Sequence, residues 1–164
     1  MTSFPELATR YWKSIHRVCW NLLSDRKAAA EVAEATFLSA LHDPGILPRG
    51  VPPERALYRE AVSRSLHRLP AVRKTPFDSE GAGGAIRQVL LRLDAIDRAA
   101  FVLREVEQLP TEEVAAVLGI APGHVRQRVH RATMTLTGFL GRSFEAPGAA
   151  RSSTIKTPRS RSST

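Results

Sequence analysis

An all-α protein made of two small helical units is what this sequence predicts, and three observations predict it. Apolar residues recur at spacings of three and four through most of the chain, as in Tyr11, Ile15, Val18 and Leu22. No segment alternates in the manner of a strand over more than a few residues. One stretch, PAVRKTPFDSEGAGGA, breaks the helical pattern with prolines and glycines over few apolar residues, the composition of a tether. The boundaries that follow are a helical unit over 1–69, a linker over 70–84, a second helical unit over 85–142 and a disordered basic tail over 143–164.

The opening helix lies in ELATRYWKSIHRVCWNLL, whose second apolar set is Trp12, Ile15, Cys19 and Leu22; both tryptophans, Trp12 and Trp20, are expected in the core on this stripe. SDRKAAAEVAEATFLSALHD follows, with Ser24 as the expected N-cap and Ala28, Val32, Ala35 and Leu38 turned inward. PGILPRGVPPE carries too many prolines and glycines for a regular element, and the chain resumes as helix from about Arg55 to Leu69. After the linker, AIRQVLLRLDAIDRAAFVLREVEQL reads as two helices broken near Asp94, which is expected to cap the second with Asp97 three residues on. The GAGG within the linker follows no strand and precedes no Lys-Ser or Lys-Thr pair, so it is not a phosphate loop.

The last structured stretch, EEVAAVLGIAPGHVRQRVHRA, is a helix interrupted once. Thr111 is the expected N-cap, with Glu112 and Glu113 at the positive end of the dipole. Gly119 then supplies the left-handed conformation that a tight turn between helices needs, and Ala115, one turn earlier, is small enough to let the next helix cross closely. Pro122 suits a first helical turn. Val125, Val129, Ala132 and Leu136 continue one inward face. A small residue, a glycine four later and an aliphatic six after that is the spacing of a helix-turn-helix.

That assignment gives the second helix an outer face of Gly123, His124, Arg126, Gln127, His130 and Arg131, with Arg128 at its flank. Arg and Gln make bidentate contacts to guanine and adenine edges in a major groove, and a flanking arginine suits a phosphate. The same face read without the turn is a solvated basic surface, and for His124 and His130 both readings stand. Charge supports the first. Residues 76–113 carry a net −4 and residues 114–164 a net +7, within a chain of net charge +8 and pI about 10.7.

Other classes are excluded on composition. No run approaches the roughly 18 apolar residues of a spanning helix. MTSFPELATRYWK has no apolar signal-peptide centre. A cytoplasmic location and no membrane partner are therefore expected. Cys19 stands alone, ruling out an internal disulfide, and no second thiol or closely spaced histidine completes a zinc site. The acid pair Asp94 with Asp97 has a capping reading and Glu31 with Glu34 reads as a solvated helix face, so neither an enzyme nor a cofactor is expected.

The second half resembles region 4 of extracytoplasmic-function (ECF) sigma factors, through LLRLDAIDRAAFVLREVEQLPTEEVAAVLGIAPGHVRQRVHRA. The resemblance implies recognition of a promoter −35 element, with Arg126, Gln127, His130 and Arg131 as the main contacts. AAEVAEATFLSAL is similar to the family's region 2 helix that docks on RNA polymerase, which implies polymerase contacts from Glu31 and Glu34. RALYREAVSRSL is similar to the helix that binds the melted −10 strand, implying roles for Tyr58, Arg59, Ser63 and Arg64. There the family's tryptophan is replaced by Ala56 and its asparagine by Ser63.

The function implied is a sigma factor that brings RNA polymerase core to double-stranded promoter DNA, with an anti-sigma factor as a further partner. Two alternatives stand beside it. One is a sigma-like regulator that binds DNA without melting it, and the other a helical module that engages an anti-sigma factor.

Overall fold

A computed structural model describes residues 4–43, 45–72 and 82–144. These residues form helices α1 (Phe4–Leu23), α2 (Arg26–His42), α3 (Pro53–Val72), α4 (Ala82–Arg92), α5 (Ala95–Phe101), α6 (Thr111–Leu118) and α7 (Pro122–Phe144). A single π-helical turn, Val102–Val106, extends α5. The described residues contain no strand. Residues 73–81 of the expected linker and 145–164 of the expected tail lie outside the described residues; the rest of the linker closes α3 and opens α4.

Helices α1, α2 and α3 pack on one another through Ile15, Val18, Leu22, Ala29, Ala33, Phe37, Leu57 and Ala61. α2 buries a broader face than its sequence suggests: Ala28 and Val32 are buried as expected, Ala29, Ala33, Phe37 and Ala40 are buried beside them, Ala35 is half-buried and Leu38 is 47% exposed. The physical reason is that α2 sits against α1 and α3 together, and its alanines allow both neighbours close approach. The tryptophans lie at the rim rather than in the core. Trp12 is 39% exposed, stacks on His16 and meets Phe37 at a tilt, and Trp20 lies beneath the guanidinium groups of Arg26 and Arg87. Cys19 is fully buried, which pushes its thiol pKa up to about 11.

Two helix starts differ by one residue from the expected caps. Ser24 adopts a left-handed backbone, φ 54°, to close α1, its N–H donating to Trp20 O at 2.7 Å. Asp25 therefore caps α2, Oδ1 accepting from Ala28 N at 2.8 Å. Pro110, with its extended ψ of 149°, occupies the cap of α6, so Thr111 is already helical.

The core crosses from one half of the chain to the other. Val102, Leu103, Val114, Ala115, Val117 and Val125 belong to the same buried cluster as the α1–α3 residues. A smaller cluster joins Val89, Leu90 and Leu93 of the α4 region to Ala132 and Leu136 of α7. At their junction lies Arg98, fully buried, donating to the carbonyls of Leu90 (2.6 Å), Leu91 (3.0 Å), Leu93 (3.2 Å) and Leu22 (2.8 Å). These oxygens belong to the ends of α4 and α1, where helix carbonyls lack intrahelical donors and carry partial negative charge. One guanidinium thus satisfies two helix ends at once.

Candidate nucleic-acid interface

α6 and α7 build the interface. Gly119 closes α6 with φ 67° and ψ 33°, the left-handed conformation its sequence position suggests. Ile120 N donates back to Ala115 O at 3.1 Å, and α7 starts three residues after the glycine with Pro122 in its first turn. Val125 is fully buried, Val129 packs on the main core, and Ala132 and Leu136 enter the smaller cluster. The inward line of α7 is therefore the one read from the sequence. Its phase leaves Gly123, His124, Arg126, Gln127, His130 and Arg131 exposed on the other side.

Arg126 makes no ion pair among the described residues, whereas two neighbours behave differently. Arg128 is half-buried, and its Nη1 donates to Asp97 Oδ1 at 2.8 Å and lies 3.9 Å from Asp94 Oδ1. Arg131 is exposed along most of its length, yet its Nη2 donates to the same Asp97 oxygen at 2.8 Å. Asp94 caps α5 as expected, accepting from Ile96 N at 3.0 Å. Asp97 does not reach back to share that role: it is turned toward α7. Sequence reasoning missed this use. The available signal was the spacing of Arg128 and Arg131, three apart on α7, with an acid of opposite charge on α5.

The residues expected to serve a melted strand are placed differently. Tyr58 is only 3% exposed, packed where α3 meets the second half, and its hydroxyl donates to Glu107 Oε2 at 3.3 Å. Burial, and then the Glu107 charge, push its phenol up to about 12. Its ring is thus not presented to solvent in this arrangement. Arg59 is exposed but donates from Nη2 to Ala116 O at 2.8 Å. Arg64 is held by Glu60 at 2.6 Å and by the Ser39 hydroxyl, and Ser63 is exposed. Glu31 and Glu34 both lie on the exposed face of α2, and Glu31 pairs with Arg68 at 2.6 Å.

Glu107 was not singled out by sequence, yet it is the centre of the seam. The π-turn brings its carboxylate, with a side chain 2% exposed, against α1, where Arg17 grips both oxygens at 2.6 and 2.7 Å. That hydrogen-bonded pairing raises the Arg17 pKa above its ordinary value. Arg55 likewise grips Glu113 through two bonds, one of 2.8 Å, and holds its carboxyl below the usual range.

Two helices joined through a left-handed glycine, with a cationic outer face on the second, define a helix-turn-helix protein. Residues 83–136 match the family model for sigma-70, region 4, and the chain is similar to ECF sigma factors. It is 25% identical over 162 residues to the ECF RNA polymerase sigma factor SigE of Mycolicibacterium smegmatis, an alignment covering 87% of this chain and 63% of that protein. The chain thus spans less than two thirds of that relative's length. Two solved structures share the fold. CnrH in complex with the cytosolic domain of CnrY superposes with a TM-score of 0.74 at 22% identity, covering 85% of this chain and 88% of that one. The sigma factor RpoE with the anti-sigma factor NepR from Bartonella quintana gives 0.70 at 19% identity, covering 84% and 96%. Among the described residues no helix is long and apolar enough to cross a membrane.

Proposed function

We propose that the protein is a sigma factor that reads duplex promoter DNA through α7 and engages RNA polymerase core through α2. The single observation that carries this reading is the outer face of α7. Arg126, Gln127 and His130 stand exposed on a helix whose opposite side is fixed by Val125, Ala132 and Leu136. A rigid helix with long donors on one side fits a major groove, where an Arg or Gln fork meets the edge of one base. Glu31 and Glu34, one turn apart, would meet a basic polymerase surface. An anti-sigma factor is proposed as a further partner, since the relatives of known structure include a sigma factor solved with one. The division of labour follows the two halves read from the sequence, 1–69 for polymerase and 85–142 for DNA.

Selection of bound sites from a random duplex pool tests the DNA reading. A defined motif that Arg126→Ala weakens is expected; a pool that stays random would sink it. Transcription by polymerase core on the selected site, with supercoiled template, tests initiation. A regulator that binds without melting is the second reading, favoured by one observation, the burial of Tyr58 against the second half. Promoter binding with no transcript even on supercoiled DNA would make it the better account.

A further inference from the structure

We infer that Asp97 is a specificity-determining residue that positions Arg131 and withholds Arg128 from the DNA backbone. The inference rests on the proposed duplex reading by α7. Asp97 is 7% exposed, sits in the first turn of α5, and receives both Arg128 Nη1 and Arg131 Nη2 on one oxygen at 2.8 Å. Its backbone is fixed from both sides: before it Ile96 N donates to the Asp94 cap, and after it Arg98, tied to four carbonyls, Ala99 and Ala100 are fully buried. The carboxylate is therefore a rigid anchor, and α5 packs directly on α7.

The two arginines answer to that anchor differently. Arg131 leaves most of its side chain in solvent. A guanidinium carries five N–H donors in a planar fork, so one bond inward orients the plane and leaves the outer edge able to donate. An oriented fork discriminates between acceptor patterns better than a swinging one, because a wrong acceptor cannot be met by rotation. Arg128 is instead half-buried between Asp97 and Asp94, an acidic pair that competes with any phosphate for it. Asp97 thus lowers the charge-driven affinity for every duplex while sharpening the choice among them. Arg128, by this account, is a brace and not a phosphate contact.

The test compares full-length wild type, Asp97→Asn, Arg131→Lys and the double variant on two duplexes, the site selected by wild type and a random sequence, across a salt series. For Asp97→Asn, affinity for random duplex should rise a few-fold and its salt slope should steepen by about one phosphate contact, since Arg128 is released. The ratio of selected to random affinity should fall about tenfold, the scale of one oriented fork on a base edge. Arg131→Lys keeps the charge at an exposed position and should lose a similar ratio. The double variant should lose no more than either single one, because both act through the same oriented group. Additive losses would overturn the coupling. Equal weakening on both duplexes, with a lower melting temperature, would make Asp97 a structural brace only. A wild type that selects no site defeats the underlying reading of α7, whereas selection that survives Asp97→Asn unchanged defeats only this inference.

Discussion

The seam between the halves and the outer face of α7 are both rich in arginine, and they use it in opposite ways. In the seam Arg17, Arg55, Arg59 and Arg98 each have a fixed oxygen from another element of the fold. On α7 the cations grade from Arg128, held by two acids, through Arg131, held at one nitrogen, to Arg126, which has no ion pair among the described residues. The same residue type is structural cement at one site and an open donor at the other. What separates them is whether an oxygen is already fixed within reach, which a net charge of +8 does not reveal.

The comparison breaks most visibly at Arg98. Arg98→Met should fill much of the volume but remove the guanidinium donors from the carbonyls of Leu22, Leu91 and Leu93, while Leu90 O keeps the Leu93 N–H. Unsatisfied buried acceptors cost about 1–3 kcal/mol each where no water reaches them, so a loss of about 4 kcal/mol in urea-denaturation stability is expected. A loss below about 1 kcal/mol would show that the carbonyls find other partners.

Glu107→Ala should cost less, about 2 kcal/mol, because Arg17 is half in solvent and can rehydrate while Tyr58 cannot. An absorbance titration of tyrosine reads the same change. In wild type the raised phenol pKa means that the contribution of Tyr58 to stability is complete below pH 10 and is lost as pH rises toward about 12. Removing the Glu107 charge should bring that ionisation earlier, burial alone keeping it above the ordinary value. An unchanged titration would dissociate Tyr58 from the seam.

At the open end of the comparison, Arg126→Ala should leave stability within about 0.5 kcal/mol and weaken binding to the selected duplex by about 1–2 kcal/mol. Equilibrium binding beside a thermal melt checks both halves of the statement. A large loss of stability would move Arg126 into the structural class.

How much of this was legible in the sequence depends on whether the cause was local. The turn at Gly119 and the inward line Val125, Ala132 and Leu136 follow from backbone conformation and helical period, and they stand as read. The cap at Asp94 is local too. The inward face of α2 was legible only in part, at Ala28 and Val32 but not at Leu38, because two neighbouring helices decide which of its alanines and leucines face inward. Asp97 and Glu107 escaped for the same reason, with partners 31 and 90 residues away in sequence, and so did the bond from Arg98 to Leu22, 76 residues away, although its other three carbonyls lie within eight residues. The π-turn that aims Glu107, and the left-handed Gln108 beside it at φ 56°, have no compositional mark at all. Tyr58 shows the limit most clearly. Its helix was readable, but whether its ring meets a nucleobase or a carboxylate depended on where the second half came to rest.

The smallest effect is expected where the seam reaches solvent. Arg55 and Glu113 are both partly exposed, so their attraction is screened by water and salt even though the guanidinium grips both carboxylate oxygens. The Glu113 carboxyl is nevertheless held below its ordinary value, chiefly by that hydrogen-bonded pairing. A carboxylate depressed in the folded state contributes its stability above the unfolded pKa, and loses it as pH falls through the lower folded value. The difference in stability between wild type and Arg55→Met should therefore be fully present above about pH 5 and shrink steadily in acid. It should shrink also with added salt at neutral pH, whereas the Glu107 effect, with its carboxylate out of solvent, should hardly respond. A Glu113 carboxyl that titrates at the ordinary value by carbon NMR, or a difference that ignores salt, would mean that this edge of the seam is open in solution and that the halves are held by Glu107, Arg98 and the shared core instead.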